Sequence, residues 1–88
     1  MDTQKETTRK RMSDGDLSVI VEIICRTGGI ENLRPAQDFY DAGVSSVNAL
    51  PILMEMEDRF QVSIPDERFM NARTADAIHE VLLDLKKG

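Results

Sequence analysis

Residues 38–60 read DFYDAGVSSVNALPILMEMEDRF, residues 61–74 QVSIPDERFMNART and residues 75–85 ADAIHEVLLDL. Apolar positions recur at helical spacing between Val47 and Phe60 and again between Ala75 and Leu85. Between them, Pro65 opens a short segment whose first turn holds Asp66 and Glu67. Proline suits the first helical position and acids suit the positive end of the helix dipole, so a short helix begins there. Thr74 is a good N-cap for the last helix, whose buried face reads Ala75, Ile78, Val81, Leu82 and Leu85. Lys86 and Lys87 suit its C-terminal end.

The second helix is expected from about Ser46 to Phe60, with Val47, Leu50, Met54 and Phe60 as its inner stripe. Leu53 and Met56 widen that stripe, while Glu55, Glu57 and Asp58 face outward. Pro51 strains this reading. If Ser45 is the cap, Pro51 lies in the second turn, removes a hydrogen bond and clashes, at a cost of roughly 3 kcal/mol. Either the opening turn is irregular, or the helix starts later with Asn48 as its cap and Pro51 in the tolerant first turn.

Upstream, Leu17, Ile20, Val21 and Ile24 share a face, widened by Val19 and Ile23. This first helix starts near Asp14 or Asp16 and stops at Gly28-Gly29, where glycine can take the left-handed cap conformation. From Gly28 to about Val44 the chain is expected to be a long connection, pinned by Ile30, Leu33, Phe39 and Tyr40, that delivers Ser45-Ser46 to one end of the molecule. The fold class is therefore all-α: a small bundle of three longer helices plus one short helix. Residues 1–13 form an expected disordered tail and residues 14–88 the helical domain. The tail is basic, with Lys5, Arg9, Lys10 and Arg11 against Asp2 and Glu6.

The chain has 88 residues, a net charge of −5 and a pI near 4.7. An acidic body does not bind nucleic-acid phosphates in general and favours partners that present Lys and Arg. The single Cys25 forms no internal disulfide and no thiolate cluster for zinc, and packs as a small apolar residue. No apolar run approaches a membrane span and no secretory signal opens the chain, so no membrane insertion and a cytoplasmic location are expected. A serine hydrolase would need a base beside its nucleophile. His79, the only histidine, is expected to face solvent on the last helix, and no nucleophile elbow is present.

The acidic helix ending EMEDRF, followed in register by IPDE, resembles the acyl carrier protein family over roughly residues 15–86. Members of that family carry a 4′-phosphopantetheine arm on a serine in a D-S-L motif at the start of the second helix. The family's usual spacing, counted back from Ile64, lands on Ser46 within Ser45-Ser46-Val47. The resemblance implies a non-enzymatic carrier, a monomer, that holds acyl thioesters on a covalent 4′-phosphopantetheine derived from coenzyme A. Such carriers serve fatty-acid, lipid or polyketide-type biosynthesis. It implies a phosphopantetheinyl transferase as partner, and an acyltransferase, ligase or synthase with basic docking patches. At Ser46, backbone N–H groups of a helix start would favour the phosphodiester anion.

The departures from the family pattern have consequences of their own. Ser45 stands where aspartate is usual, Val47 replaces leucine, and Asn48 and Pro51 replace two acids of the exposed face. Rim charges set encounter rate and partner choice, so a specialised carrier with a dedicated set of enzymes is expected. Within the family acyl chains slip between the second and later helices; Leu50, Met54, Ile64, Ala72 and Ile78 are the corresponding lining candidates. Two alternatives remain: an unmodified interaction module that keeps the fold without the arm, and a peptidyl or aminoacyl carrier. The latter usually has G-G-x-S before the serine, and Gly43-Val44-Ser45-Ser46 keeps one of those glycines.

Overall fold

The computed structural model describes residues 14–87; the basic N-terminal segment lies outside the described residues. Helix α1 spans Asp14–Gly28, α2 Ala49–Phe60, α3 Asp66–Asn71 and α4 Ala75–Lys87. A single turn of 3-10 helix, Ser46–Asn48, runs directly into α2. The expected all-α bundle of three longer helices and one short one is therefore the observed architecture.

In α1 the residues Ile20, Ile23 and Ile24 are buried, and Leu17, Val19 and Val21 flank them half-buried. Gly29, at φ +76°, closes the helix in the left-handed conformation, with its N–H and that of Ile30 both donating to the Cys25 carbonyl. Helix α1 packs against both α2 and α4, and α3 packs on α4. At the α4 start the Thr74 hydroxyl accepts the Ala77 N–H at 3.0 Å, the expected cap. Ala75, Ile78 and Leu82 are buried as read, while Val81 and Leu85 are half-buried at the edge.

The inner face of α2 differs from the expected one. Its buried residues are Ala49, Ile52, Leu53, Met56 and Phe60, at i, i+3, i+4, i+7 and i+11. Val47, Leu50 and Met54 point outward, with 77%, 61% and 58% of their surface exposed. The sequence offers two apolar stripes here. The α-helix starts at Ala49, with Asn48 at the cap position, so Val47 belongs to the 3-10 turn and cannot set the helix register. The longer stripe then buries more apolar surface and wins. Pro51 falls on the third helical residue, where its missing N–H would have had no intrahelical partner. The later start anticipated from Pro51 is thus the one adopted, preceded by one tight turn.

Glu57 also departs from a simple outward position. It is half-buried, and its Oε2 accepts the Ile64 N–H at 2.7 Å, tying the Val62–Pro65 link to the end of α2. Gln61, at φ +56°, ends that helix in a left-handed conformation. Pro65 sits one position earlier than read, at the N-cap of α3.

Candidate functional site

The connection from Gly29 to Ser45 is held in place at several points. Leu33, Phe39 and Val44 are buried, with Ile30 and Tyr40 packed beside them. Phe39 donates its N–H to the Arg73 carbonyl, beside a lone antiparallel bridge between Asp38 and Thr74. The Asp76 N–H bonds the Pro35 carbonyl, so the connection is stitched to the start of α4. Asp38 organises this junction. Its carboxylate accepts the N–H groups of Tyr40 and Asp41 at 2.8 and 3.1 Å, and accepts Arg73 Nε at 2.6 Å. The Arg73 guanidinium also lies 4.8 Å from the centre of the Tyr40 ring. Hydrogen bonding by Arg73 holds the Asp38 carboxyl below its ordinary value, and burial pushes the Tyr40 phenol up. This clamp joins positions 35 residues apart, and no local sequence signal announces it.

The clamp leads directly to the serine pair. From Phe39 the chain turns through Gly43, whose φ of +122° suits only glycine, and the Val44 N–H returns to the Phe39 carbonyl. Val44 then seats its side chain on the end of α1. A Cβ placed on Gly28 would lie 2.8 Å from Val44 Cγ2 and 3.5 Å from Ile52 Cδ1. Only a glycine at the helix end lets Val44 come so close. With Val44 locked, the next two residues emerge into solvent.

Ser45 and Ser46 are both exposed. The Ser45 hydroxyl accepts the Val47 N–H at 3.3 Å and caps the 3-10 turn. Ser46 is the first residue of that turn, and no hydrogen bond from a described residue holds its hydroxyl. Ser46 also lies on the rim of a groove of about 270 Å³ between the start of α2 and α3. Ala49, Leu50, Leu53, Phe69 and Met70 form its apolar surface, and Asp66 is its one acid. Of the five residues expected to shelter a cargo, only Leu50 lines this groove. Met54 is exposed, and Ile64, Ala72 and Ile78 are buried in the helical core. Phe69 and Met70 replace them, on a helix too short for its apolar face to be read by period.

The remaining polar candidates stand apart. His79 is half-buried rather than solvent-facing, with its Nε2 shielded and unpartnered among the described residues. It does not line the groove that Ser46 borders. Cys25 is half-buried and burial pushes its thiol up, consistent with a packing role. No cluster of possible metal ligands occurs among the described residues, and no helix there is long and apolar enough to cross a membrane.

The family model for the phosphopantetheine attachment site matches residues 18–82, which is most of the folded body. The chain belongs to that family: it is a carrier of covalently attached 4′-phosphopantetheine. No curated protein matches the chain. Carrier domains of this kind are ordinarily without catalysis of their own, and they work with a phosphopantetheinyl transferase and with acyl-processing enzymes in general. The local chemistry suits such an arm. An exposed hydroxyl stands at the opening of a helical turn, where backbone N–H groups tolerate an anion, and it borders an apolar groove.

Proposed function

We propose that this protein is a specialised acyl carrier whose arm is attached through Ser46. The observation that carries the reading is the contrast between two adjacent hydroxyls. That of Ser45 is engaged as a cap, whereas that of Ser46 is unengaged, exposed and beside the groove. In the loading step the Ser46 oxygen bonds to the phosphorus that bears the pantetheine. The pyrophosphate bond of coenzyme A breaks, the nucleotide leaves as its phosphate, and the hydroxyl proton passes to a base of the transferase. Ser46 needs no base of its own, which agrees with His79 standing apart from it.

Partner choice follows from the outer face of α2. Val47, Leu50 and Met54 leave an apolar strip next to Ser46, and Asn48 and Pro51 carry no charge there. Asp66 is the one acid lining the groove beside Ser46, and Glu55, Asp58 and Glu67 are exposed acids outside that lining. Recognition near the arm is therefore apolar, with charge acting at the rim. The cargo is an acyl thioester for fatty-acid, lipid or polyketide-type synthesis, handled by a dedicated acyltransferase, ligase or synthase. Residues 14–88 are the carrier domain and the preceding segment a basic leader.

Intact-mass measurement after co-expression with a promiscuous phosphopantetheinyl transferase tests the attachment. One added arm is expected on the natural protein and on Ser45→Ala, and none on Ser46→Ala. An arm retained by Ser46→Ala would place the attachment elsewhere. No arm on any form would leave an unmodified interaction module as the better reading. For partner choice, a dedicated ketosynthase should use the loaded protein at least tenfold more efficiently than a general fatty-acid ketosynthase does. Equal efficiency would sink the specialised role.

A further inference from the structure

Phe69 belongs to two environments. Its side chain lines the groove beside Ser46, yet it is only 2% exposed and sits within the continuous helical core. Leu53 and Ala49 flank it from α2 and are buried too. The same core cluster holds Ile52, Met56, Ile64, Ala72, Ile78 and Leu82, each no more than 4% exposed and none lining the groove. A chain entering the groove from Ser46 thus meets an aromatic floor, and any deeper path requires the Phe69 ring to leave its packing. Displacing a large, fully packed ring from a core costs more than a few methylenes return.

From this partition we infer that Phe69 is a specificity-determining residue that confines the cargo to the surface groove. The inference rests on Ser46 as the attachment point. This carrier presents its acyl group in a shallow channel under Leu50 and Met70 instead of enclosing it among the helices. Leu50 and Met70 are well placed to cover it, being 61% and 57% exposed at the groove edge. Because the groove is open to solvent on one side, a long chain gains little by lengthening. The cargo class is accordingly an acyl group with a short apolar part, and the thioester stays within reach of partner enzymes. Asp66 at the mouth adds a preference for cargo or arm groups that donate hydrogen bonds, such as amides and hydroxyls.

The test uses the full-length protein loaded with butyryl, hexanoyl or dodecanoyl pantetheine, each load first verified by mass on Ser46. Methyl NMR and thermal unfolding are then compared across the series. Methyl shifts are expected at Leu50, Leu53 and Met70, with Met56, Ile78 and Leu82 unmoved, and with Tm equal for hexanoyl and dodecanoyl forms. In Phe69→Ala the dodecanoyl chain should instead move the Met56, Ile78 and Leu82 methyls and raise Tm above that of the hexanoyl form. Phe69→Leu serves the same purpose with a smaller packing loss. The inference is overturned if dodecanoyl on the natural protein shifts those core methyls or raises Tm by roughly 4 °C or more, as methylenes leaving water would do. It is equally overturned if no groove methyl responds, or if opening position 69 changes nothing. Absence of the added mass on Ser46 would instead remove the attachment reading on which the inference rests.

Discussion

At the scale of single residues, the site depends on side chains that are small or missing. Gly28 lacks the Cβ that would strike Val44, and Val44 in turn fixes where Ser45 and Ser46 emerge. Gly28→Ala should therefore destabilise by about 1–3 kcal/mol despite alanine's better helix propensity, because overpacking outweighs it. Urea unfolding checks this. Combining it with Val44→Ala should cost less than the two single losses added together, since the clash is then relieved. Tyr40 offers an opposite case. Its hydroxyl is shielded and unpartnered among the described residues, while its ring serves Phe39 and Arg73. Tyr40→Phe is expected to leave stability unchanged or raise it by about 1 kcal/mol, measured in the same way.

At the scale of elements, the start of α2 is the informative feature. Pro51 occupies the third position of the helix, where its lost N–H costs nothing. Pro51→Ala should change stability by less than about 0.5 kcal/mol, far below the roughly 3 kcal/mol of an interior proline. It should also let the 3-10 turn at Ser46–Asn48 take up α-helical geometry, visible as backbone chemical shifts at residues 46–50. A large gain in stability would mean that the helix begins earlier, with Pro51 in its interior. The α4 cap behaves differently. Thr74 makes a real hydrogen bond to the Ala77 N–H, so Thr74→Ala should cost about 1 kcal/mol.

At the scale of the whole molecule, Asp38 and Arg73 join the long connection to the link before α4. The Asp38 carboxyl titrates below its ordinary value of 3.8 in the folded state, chiefly through its hydrogen bond from Arg73. A depressed folded value means that the stabilising effect is complete above the unfolded value and is lost as pH falls through the folded one. Arg73→Gln removes the main cause, so its acid-unfolding midpoint should move to higher pH. The stability difference from the natural protein should be steady near neutrality and shrink once Asp38 is protonated in both. Asp38→Asn in the same background should abolish that difference in pH dependence. Circular dichroism against pH decides it, and a midpoint that does not move would show the pair to be solvated and inert.

Much of the molecule is legible from local pattern, because helix starts and stops are short-range chemistry. Thr74 as a cap, Gly29 as a terminator and the acids opening α3 all act within one turn. The likeness to a phosphopantetheine carrier rests on such local elements in sequence order, and the spacing of the family it resembles, counted back from Ile64, points to Ser46. Other features depend on what packs against what. Two apolar stripes compete on α2, and only burial in the shared core selected Ala49, Ile52, Leu53, Met56 and Phe60 over Val47, Leu50 and Met54. The clamp between Asp38 and Arg73, the seat of Val44 on Gly28 and the groove floored by Phe69 each join distant segments. Periodicity reports which residues share a face of one helix. It does not report which face meets a neighbour, because that choice is made by the total apolar surface removed from water once all the helices are in place.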